Sequence, residues 1–196
     1  MKNIYKFLMI ALVFTAGVSC TDSELIIDEV LDSVDTESGA IVRTLQDPPD
    51  LVTLTNPDNN NFDLILEVQQ GNGSFVPQFK EIRFYVRMYA DQDLTEPILD
   101  PNGNAIAETL LTTLPESAFS IESNGLPRAT INITSQSFVD AYPADAVYAS
   151  GANFVALRLE LEMSDGTVFT DSDVGATIAG QFFNSPFLYR VIFIMS

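Results

Sequence analysis

The sequence predicts an all-β fold, an antiparallel β-sandwich, on three observations. Apolar and polar residues alternate with period two in four long segments, clusters of Gly, Pro, Asn and Asp separate those segments, and a helical pattern occurs in one short stretch. Strands with one wet face belong to antiparallel sheets, and two such sheets bury their apolar faces against each other.

In chain order, the first segment stands outside that fold. Lys2 and Lys6 precede the apolar run Phe7 to Phe14 and the small-residue stretch Thr15 to Ser19, the layout of a secretory signal peptide over residues 1–19. Its apolar core is too short to cross a bilayer, which takes roughly 20 residues. Cys20, the only cysteine, follows Ser19 and reads as a lipobox cysteine, with Gly17 where most lipoboxes carry Leu. An exported chain with one cysteine forms no internal disulfide, and acylation gives its thiol a purpose. The first expected partner is therefore outer-membrane lipid, engaged through acylated Cys20. Residues 20–38 are rich in Asp, Glu, Ser and Thr and read as a flexible tether. The acidic residues directly after Cys20 resemble the export signal that sends lipoproteins to the outer face of the outer membrane.

The folded domain is expected over residues 39–196. Short strands at Ile41 to Leu45 and Leu51 to Leu54 flank the turn Asp47-Pro48-Pro49-Asp50. Phe62 to Gln69 sets Phe62, Leu64, Leu66 and Val68 against Asp63, Glu67 and Gln69. Glu81 to Ala90 points Ile82, Phe84, Val86 and Met88 inward and Arg83, Tyr85, Arg87 and Tyr89 outward. After a short strand at Thr109 to Leu114, Arg128 to Thr134 alternates Ala129, Ile131 and Ile133 with polar residues. Ser135 to Tyr142 is the helical stretch, capped by Ser135 and stopped by Pro143. Ala152 to Met163 is the longest alternating run, and Ser164-Asp165-Gly166 turns it into a short strand at Thr167 to Thr170, with Gly supplying the positive φ of a tight hairpin. Leu188 to Met195 closes the set, and Phe182, Phe183 and Phe187 are expected to pack the corner leading into it. This count and spacing fit an immunoglobulin-like sandwich with one short helix.

Nine basic against 27 acidic residues give a formal charge of −18, and loss of Lys2 and Lys6 with the signal peptide makes it two units more negative. Lys80 is then the only lysine, so no nucleic-acid partner is expected, since phosphate binding rests on clustered Lys and Arg. The chain has no histidine. With the lone cysteine assigned to lipid and neither a Gly-x-Ser-x-Gly elbow nor a Walker loop present, an enzyme is not expected.

Three motifs carry a family likeness: the run Asn124 to Thr134, the hairpin Ser164 to Thr170 that ends a long alternating strand, and Phe182-Phe183-Asn184-Ser185-Pro186-Phe187-Leu188-Tyr189. Over about residues 60–190 the chain resembles accessory lipoproteins encoded beside starch-utilisation-type (Sus-like) outer-membrane uptake systems. The resemblance implies a cell-surface lipoprotein with an immunoglobulin-like fold that assists a TonB-dependent transporter and its substrate-binding lipoprotein in capturing glycans or other nutrients. It also implies a chain that continues past Ser196.

The residues themselves offer two candidate sites. Arg83, Tyr85, Arg87 and Tyr89 form an outward stripe in which rings could stack on sugar faces and guanidinium groups donate to hydroxyls or carboxylates. The same stripe fits a cross-strand ladder in which the arginines pair with Glu160 or Glu162. Ca2+ is the cofactor that the oxygen-rich loops would suit, at Asp58 with Asp63 and at Asp100, Asn102 and Asn104. Neither segment completes an EF-hand, and ordinary turn chemistry, with Asn and Gly tolerating left-handed conformations, is the favoured reading of both. Two functional classes stay open: a surface module that presents glycan to a transporter, and a docking subunit of the transporter complex with no ligand of its own.

Overall fold

The computed structural model describes residues 39–53, 61–70, 78–142, 146–148 and 152–194. The chain divides into two units, Met1–Glu37 and Ser38–Ser196, and every described residue belongs to the second. The signal peptide of residues 1–19, Cys20, the tether of residues 20–38 and Asp58 lie outside the described residues. Among the described residues no helix is long and apolar enough to cross a membrane.

The described strands are, in order, β1 (Ala40–Gln46), β2 (Leu51–Thr53), β3 (Asn61–Gln70), β4 (Phe79–Tyr89), β5 (Thr109–Pro115), β6 (Ser120–Ile121), β7 (Pro127–Thr134), β8 (Ala152–Met163), β9 (Val168–Phe169) and β10 (Leu188–Ile194). Helix α1 (Ser135–Asp140) follows β7, and a second short helix, α2 (Ala176–Ala179), precedes β10. One sheet runs β1-β3-β7-β6 and the other β2-β10-β8-β4-β5, with β9 paired to the far end of β8. The protein is an all-β sandwich. Its strand order matches the immunoglobulin arrangement, in which the first, second, fifth and fourth main strands form one sheet and the third, sixth and seventh the other.

Alternation decides which side chains reach the interior. Leu64, Leu66 and Val68 of β3, Ile82, Phe84 and Val86 of β4, and Leu157, Leu159 and Leu161 of β8 are fully buried in one core shared by both sheets. Each such side chain contributes ~1.5–3 kcal/mol by leaving water. At one end of the sandwich Phe138 of α1 sits between the two sheets, its ring edge-on to Phe62 of β3 at 5.1 Å and to Phe193 of β10 at 6.1 Å. The helix starts one residue earlier than its pattern suggested: the Thr134 hydroxyl, not Ser135, caps it, accepting from the Ser137 N–H at 3.2 Å.

Three features depart from the sequence reading. The sandwich is not wholly antiparallel, because β2 runs parallel to β10. Pro48 and Pro49 have no N–H for a ladder, so the chain leaves the first sheet after Gln46 and joins the second alongside its last strand. Helix α2 adds to the single helix expected; at four residues it is too short to show a period. Of the three corner phenylalanines, Phe187 is buried but Phe182 is 81% exposed.

The segment from Asn184 to Phe187 closes the free edge of β1. The Ser185 hydroxyl accepts from Val42 N–H at 3.1 Å, the Asn184 carbonyl accepts from Thr44 N–H at 2.7 Å, and the Asn184 amide donates to the Thr44 carbonyl at 2.9 Å. Phe187 then passes its carbonyl to Leu159 N–H of the opposite sheet at 2.7 Å. Asn184 and Phe187 both take positive φ, 45° and 56°, which lets this short stretch serve both sheets. An edge so covered cannot template another strand.

Two buried phenols couple this fold to alkaline pH. Tyr189 Oη shares a 2.6 Å hydrogen bond with Thr44 Oγ1 across the sheets, and Tyr142 Oη accepts from the Met88 N–H. Burial pushes Tyr142 up to about 12 and raises Tyr189 further. An unfolded phenol ionises near 10, so the unfolded chain sheds these protons first as pH rises. The stabilisation is whole below about pH 10 and is lost as pH climbs through the folded values, at about 1.4 kcal/mol for each tenfold difference in proton affinity between the folded and unfolded chain. The melting temperature is expected to fall steeply between about pH 10 and 12, with a shallower slope in Tyr142→Phe and Tyr189→Phe. Identical slopes in all three proteins would show that these phenols do not drive the transition.

Candidate functional site

The outward face of the second sheet carries the predicted stripe, and the register splits it in two. In the lower half Arg83 stands directly opposite Glu160, and Tyr85 opposite Arg158. Arg83 reaches Glu162 at 3.1 Å and Glu160 at 3.5 Å, and Lys80 reaches Glu162 at 2.8 Å. Arg158 grips Glu108 with two nitrogens, at 2.9 and 2.6 Å, contacts Glu160 at 2.8 Å, and lies over the Tyr85 ring, 4.8 Å from its centroid. The hydrogen bonds that Arg158 donates to Glu108 raise its pKa against the opposing effect of burial, and the bond donated by Lys80 holds Glu162 below the usual carboxylate range. Burial, then the charge of Glu160, raises the Tyr85 phenol. Arg83 and Tyr85 are thus spent on a cross-strand ladder, with the ring face of Tyr85 covered by a guanidinium.

The upper half is different. Arg87 stands opposite Ala156, and Ala156 is opposite Arg190 of β10 on its other side, so two arginines flank one small side chain in a single row. The Arg87 guanidinium lies 5.5 Å from the centroid of Tyr89, and its Nε is buried without a hydrogen-bond partner among the described residues. Neither Arg87 nor Arg190 pairs with a carboxylate among the described residues, whereas Arg83, Arg128 and Arg158 all do. The next row places Tyr89 opposite Phe154 and Phe154 opposite Ile192. All three are half-buried, so part of each ring or branch faces solvent.

A groove of about 500 Å³ opens past the end of β4, lined by Ala90, Thr95, Glu96, Pro97, Ile98, Leu99, Val147 and Tyr148. Its frame is local. Pro97 bridges back to Tyr89, Leu99 bridges to Ala105 and to Val147, and Ile98 N–H donates to the Met88 carbonyl at 3.0 Å. The Asp91 carboxylate ties the bend by accepting from the Thr95 and Glu96 N–H groups and from the Thr95 hydroxyl. Burial raises the Tyr148 phenol, which keeps it a neutral donor on the groove wall.

Among the described residues the oxygen-rich loop at Asp100 does not assemble a cation cage. Asp100 accepts from Asn102 N–H at 2.9 Å, Asn104 N–H at 2.8 Å and the Asn104 amide at 3.0 Å. The Asn104 side chain, then the backbone N–H groups, hold the Asp100 carboxyl below the usual range. Both of its oxygens already face the positive ends of N–H dipoles, so Asp100, Asn102 and Asn104 form a closed turn with Gly103 at φ 85°. Asp63 lies on β3 opposite Asn132, and Asp58 is outside the described residues. Among the described residues no group of three or more His, Cys, Asp or Glu side chains is gathered to hold a metal.

With this geometry in hand the chain can be set beside known proteins. No family model matches it, and no curated protein matches it. A solved structure that aligns with it is a bacterial adhesin from Mobiluncus mulieris containing intramolecular disulfide, isopeptide and ester bond cross-links. The identity is 8%, the alignment covers 81% of this chain and 56% of that chain, and the TM-score is 0.28. A TM-score that low transfers no property.

Arg190, Phe154 and Ala156 escaped the sequence reading. Their outward facing was visible in the alternation of their own strands, but their meeting with Arg87 and Tyr89 depends on a register set by chain positions far apart.

Proposed function

We propose that this chain is a lipid-anchored outer-membrane protein of the cell surface, a non-catalytic module that binds glycan or another nutrient beside a TonB-dependent transporter and its substrate-binding lipoprotein. The lipobox at Cys20 and the Sus-like resemblance support the location, and the disulfide-free sandwich suits an exported chain with one cysteine. One observation carries the binding role: carboxylates fix Arg83 and Arg158 on the sheet face, whereas Arg87, which lies over the Tyr89 ring, and Arg190 meet no acid among the described residues, and half-buried Phe154 stands in the next row. A face so arranged offers stacking surface and donors together, which is how a protein without Trp holds a sugar ring.

The test uses the full chain, purified from membranes, on a glycan array. Mass spectrometry is expected to show an acylated Cys20 as the new N-terminus. Tyr89→Ala is expected to cut glycan retention about tenfold, while Tyr85→Ala, whose ring is already covered, retains it. Unmodified Cys20 would remove the surface assignment, and equal loss in both variants would remove the site.

A second reading rests on Phe182. It is 81% exposed, and the fifteen-residue stretch from Gly175 to Tyr189 carries no charge in a strongly acidic chain. Such a patch suits contact with another protein, as a docking subunit would make. Loss of co-purification with a β-barrel partner in Phe182→Ser, with no glycan retained by the parent chain, would favour that reading.

A further inference from the structure

We infer that the row Arg87, Ala156, Arg190 is a carboxylate subsite, and that the ligand is a glycan bearing a uronate residue among neutral sugars. The inference rests on the reading that this sheet face binds glycan, and it names the sugar class. Strands in a sheet lie about 4.8 Å apart, so Arg87 and Arg190, each one strand from Ala156, have Cα atoms about 10 Å apart. Ala156 between them carries only a methyl group and is buried, so the two longer side chains flank a residue that does not separate them. A carboxylate set there takes N–H donors from two sides, the arrangement that planar guanidinium forks match.

Charge accounting points the same way. The chain holds 27 acidic residues against nine basic ones, yet none of those carboxylates neutralises Arg87 or Arg190 among the described residues. Arg43 also lacks an ion pair, but on the other sheet its row runs Arg43, Glu67, Arg128, so an acid of the chain itself stands between those two arginines. The buried Nε of Arg83 and Arg128 also lacks a hydrogen-bond partner, but both side chains place other nitrogens on carboxylates; Arg87 places none. Two adjacent cations without an acid of their own suit an anionic group on a ligand.

The neighbouring row selects a sugar over an acidic peptide. Tyr89 and Phe154 lie two residues further along their strands, about 7 Å from the arginine row. A pyranose whose C–H face rests on those rings directs its carboxylate toward Ala156. The strong negative charge of the whole chain disfavours a polyuronate, whose successive charges it repels, and favours a single acid flanked by neutral units.

Calorimetry on the full chain tests this with a panel of oligosaccharides carrying one glucuronate, galacturonate, mannuronate or iduronate, each beside its carboxyl-reduced alcohol. At least one acid is expected to bind about tenfold tighter than its alcohol, with a preference that weakens as salt rises. Arg87→Gln and Arg190→Gln are each expected to abolish the preference while retaining the parent melting temperature, and Arg43→Gln to leave it intact. Equal binding of acids and alcohols, unchanged in Arg87→Gln, would overturn the carboxylate subsite and leave glycan binding standing. Binding of no member would overturn both. Arginine-dependent binding of a glutamate-rich peptide in place of the sugars would overturn the uronate assignment.

Discussion

Phe138→Ala is expected to destabilise the domain by about 3–5 kcal/mol, the range for truncating a fully buried aromatic side chain. Phe138 has no exposed surface and touches Phe62 of one sheet and Phe193 of the other, so its loss opens a cavity that neither sheet can fill alone. Strands are held by ladders of hydrogen bonds and cannot shift sideways to collapse the gap, which places the cost at the upper end. At roughly 2–4 °C per kcal/mol for a domain of this size, the melting temperature falls on the order of 10 °C. Phe182→Ala removes the same atoms from an 81% exposed site and is expected to stay within about 0.5 kcal/mol of the parent. Chemical denaturation of both variants decides it, and comparable losses would mean that α1 does not plug the sandwich.

The contrast between those two phenylalanines marks where the residue pattern stops being legible by itself. Period-two alternation located β3, β4, β7 and β8 to within a residue or two, because each is a central strand with one dry and one wet face. It could not reveal β6, whose two residues hold no period, or the parallel pairing of β2, since nothing local to Leu51–Thr53 identifies its neighbour. Within the stripe, Arg83 and Arg87 are equivalent by spacing. Their fates differ because Glu160 of β8 falls opposite one and Ala156 opposite the other, and a pairing register is a long-range property. Phe154 and Arg190 occupy outward positions of their own strands, but nothing local to either shows that they share a neighbourhood. Phe182 and Phe187 look alike in sequence; the positive φ values at Asn184 and Phe187 are what turn one inward and leave the other in water.

Glu67 carries the same lesson into energetics and gives the second large effect. Its alternation is outward, with Asp63 and Gln69, yet it is only 1% exposed. The turn between β6 and β7 folds over it, so that Arg128 donates to its Oε2 at 2.7 Å and the Asn124 amide donates to the same oxygen at 3.0 Å. Arg128→Ala leaves a carboxylate out of water with one neutral donor. Breaking a buried pair by removing one partner costs ~3–5 kcal/mol, and because Arg128 is itself one-third exposed the expected loss is about 2–3 kcal/mol. Glu67→Gln in the Arg128→Ala background removes the stranded charge while keeping the side chain's shape, and is expected to restore more than half of that loss. The double-mutant cycle then isolates the coupling of the pair. A loss below about 0.5 kcal/mol in Arg128→Ala would mean that water reaches Glu67 once the guanidinium is gone. The comparison with Arg87 is direct, since there the cation lacks its acid rather than the acid its cation. Supplying a carboxylate ligand at Arg87 should stabilise the fold by an amount that grows with the logarithm of ligand concentration above Kd, whereas the pair at Glu67, already closed by the chain itself, offers such a ligand nothing to complete.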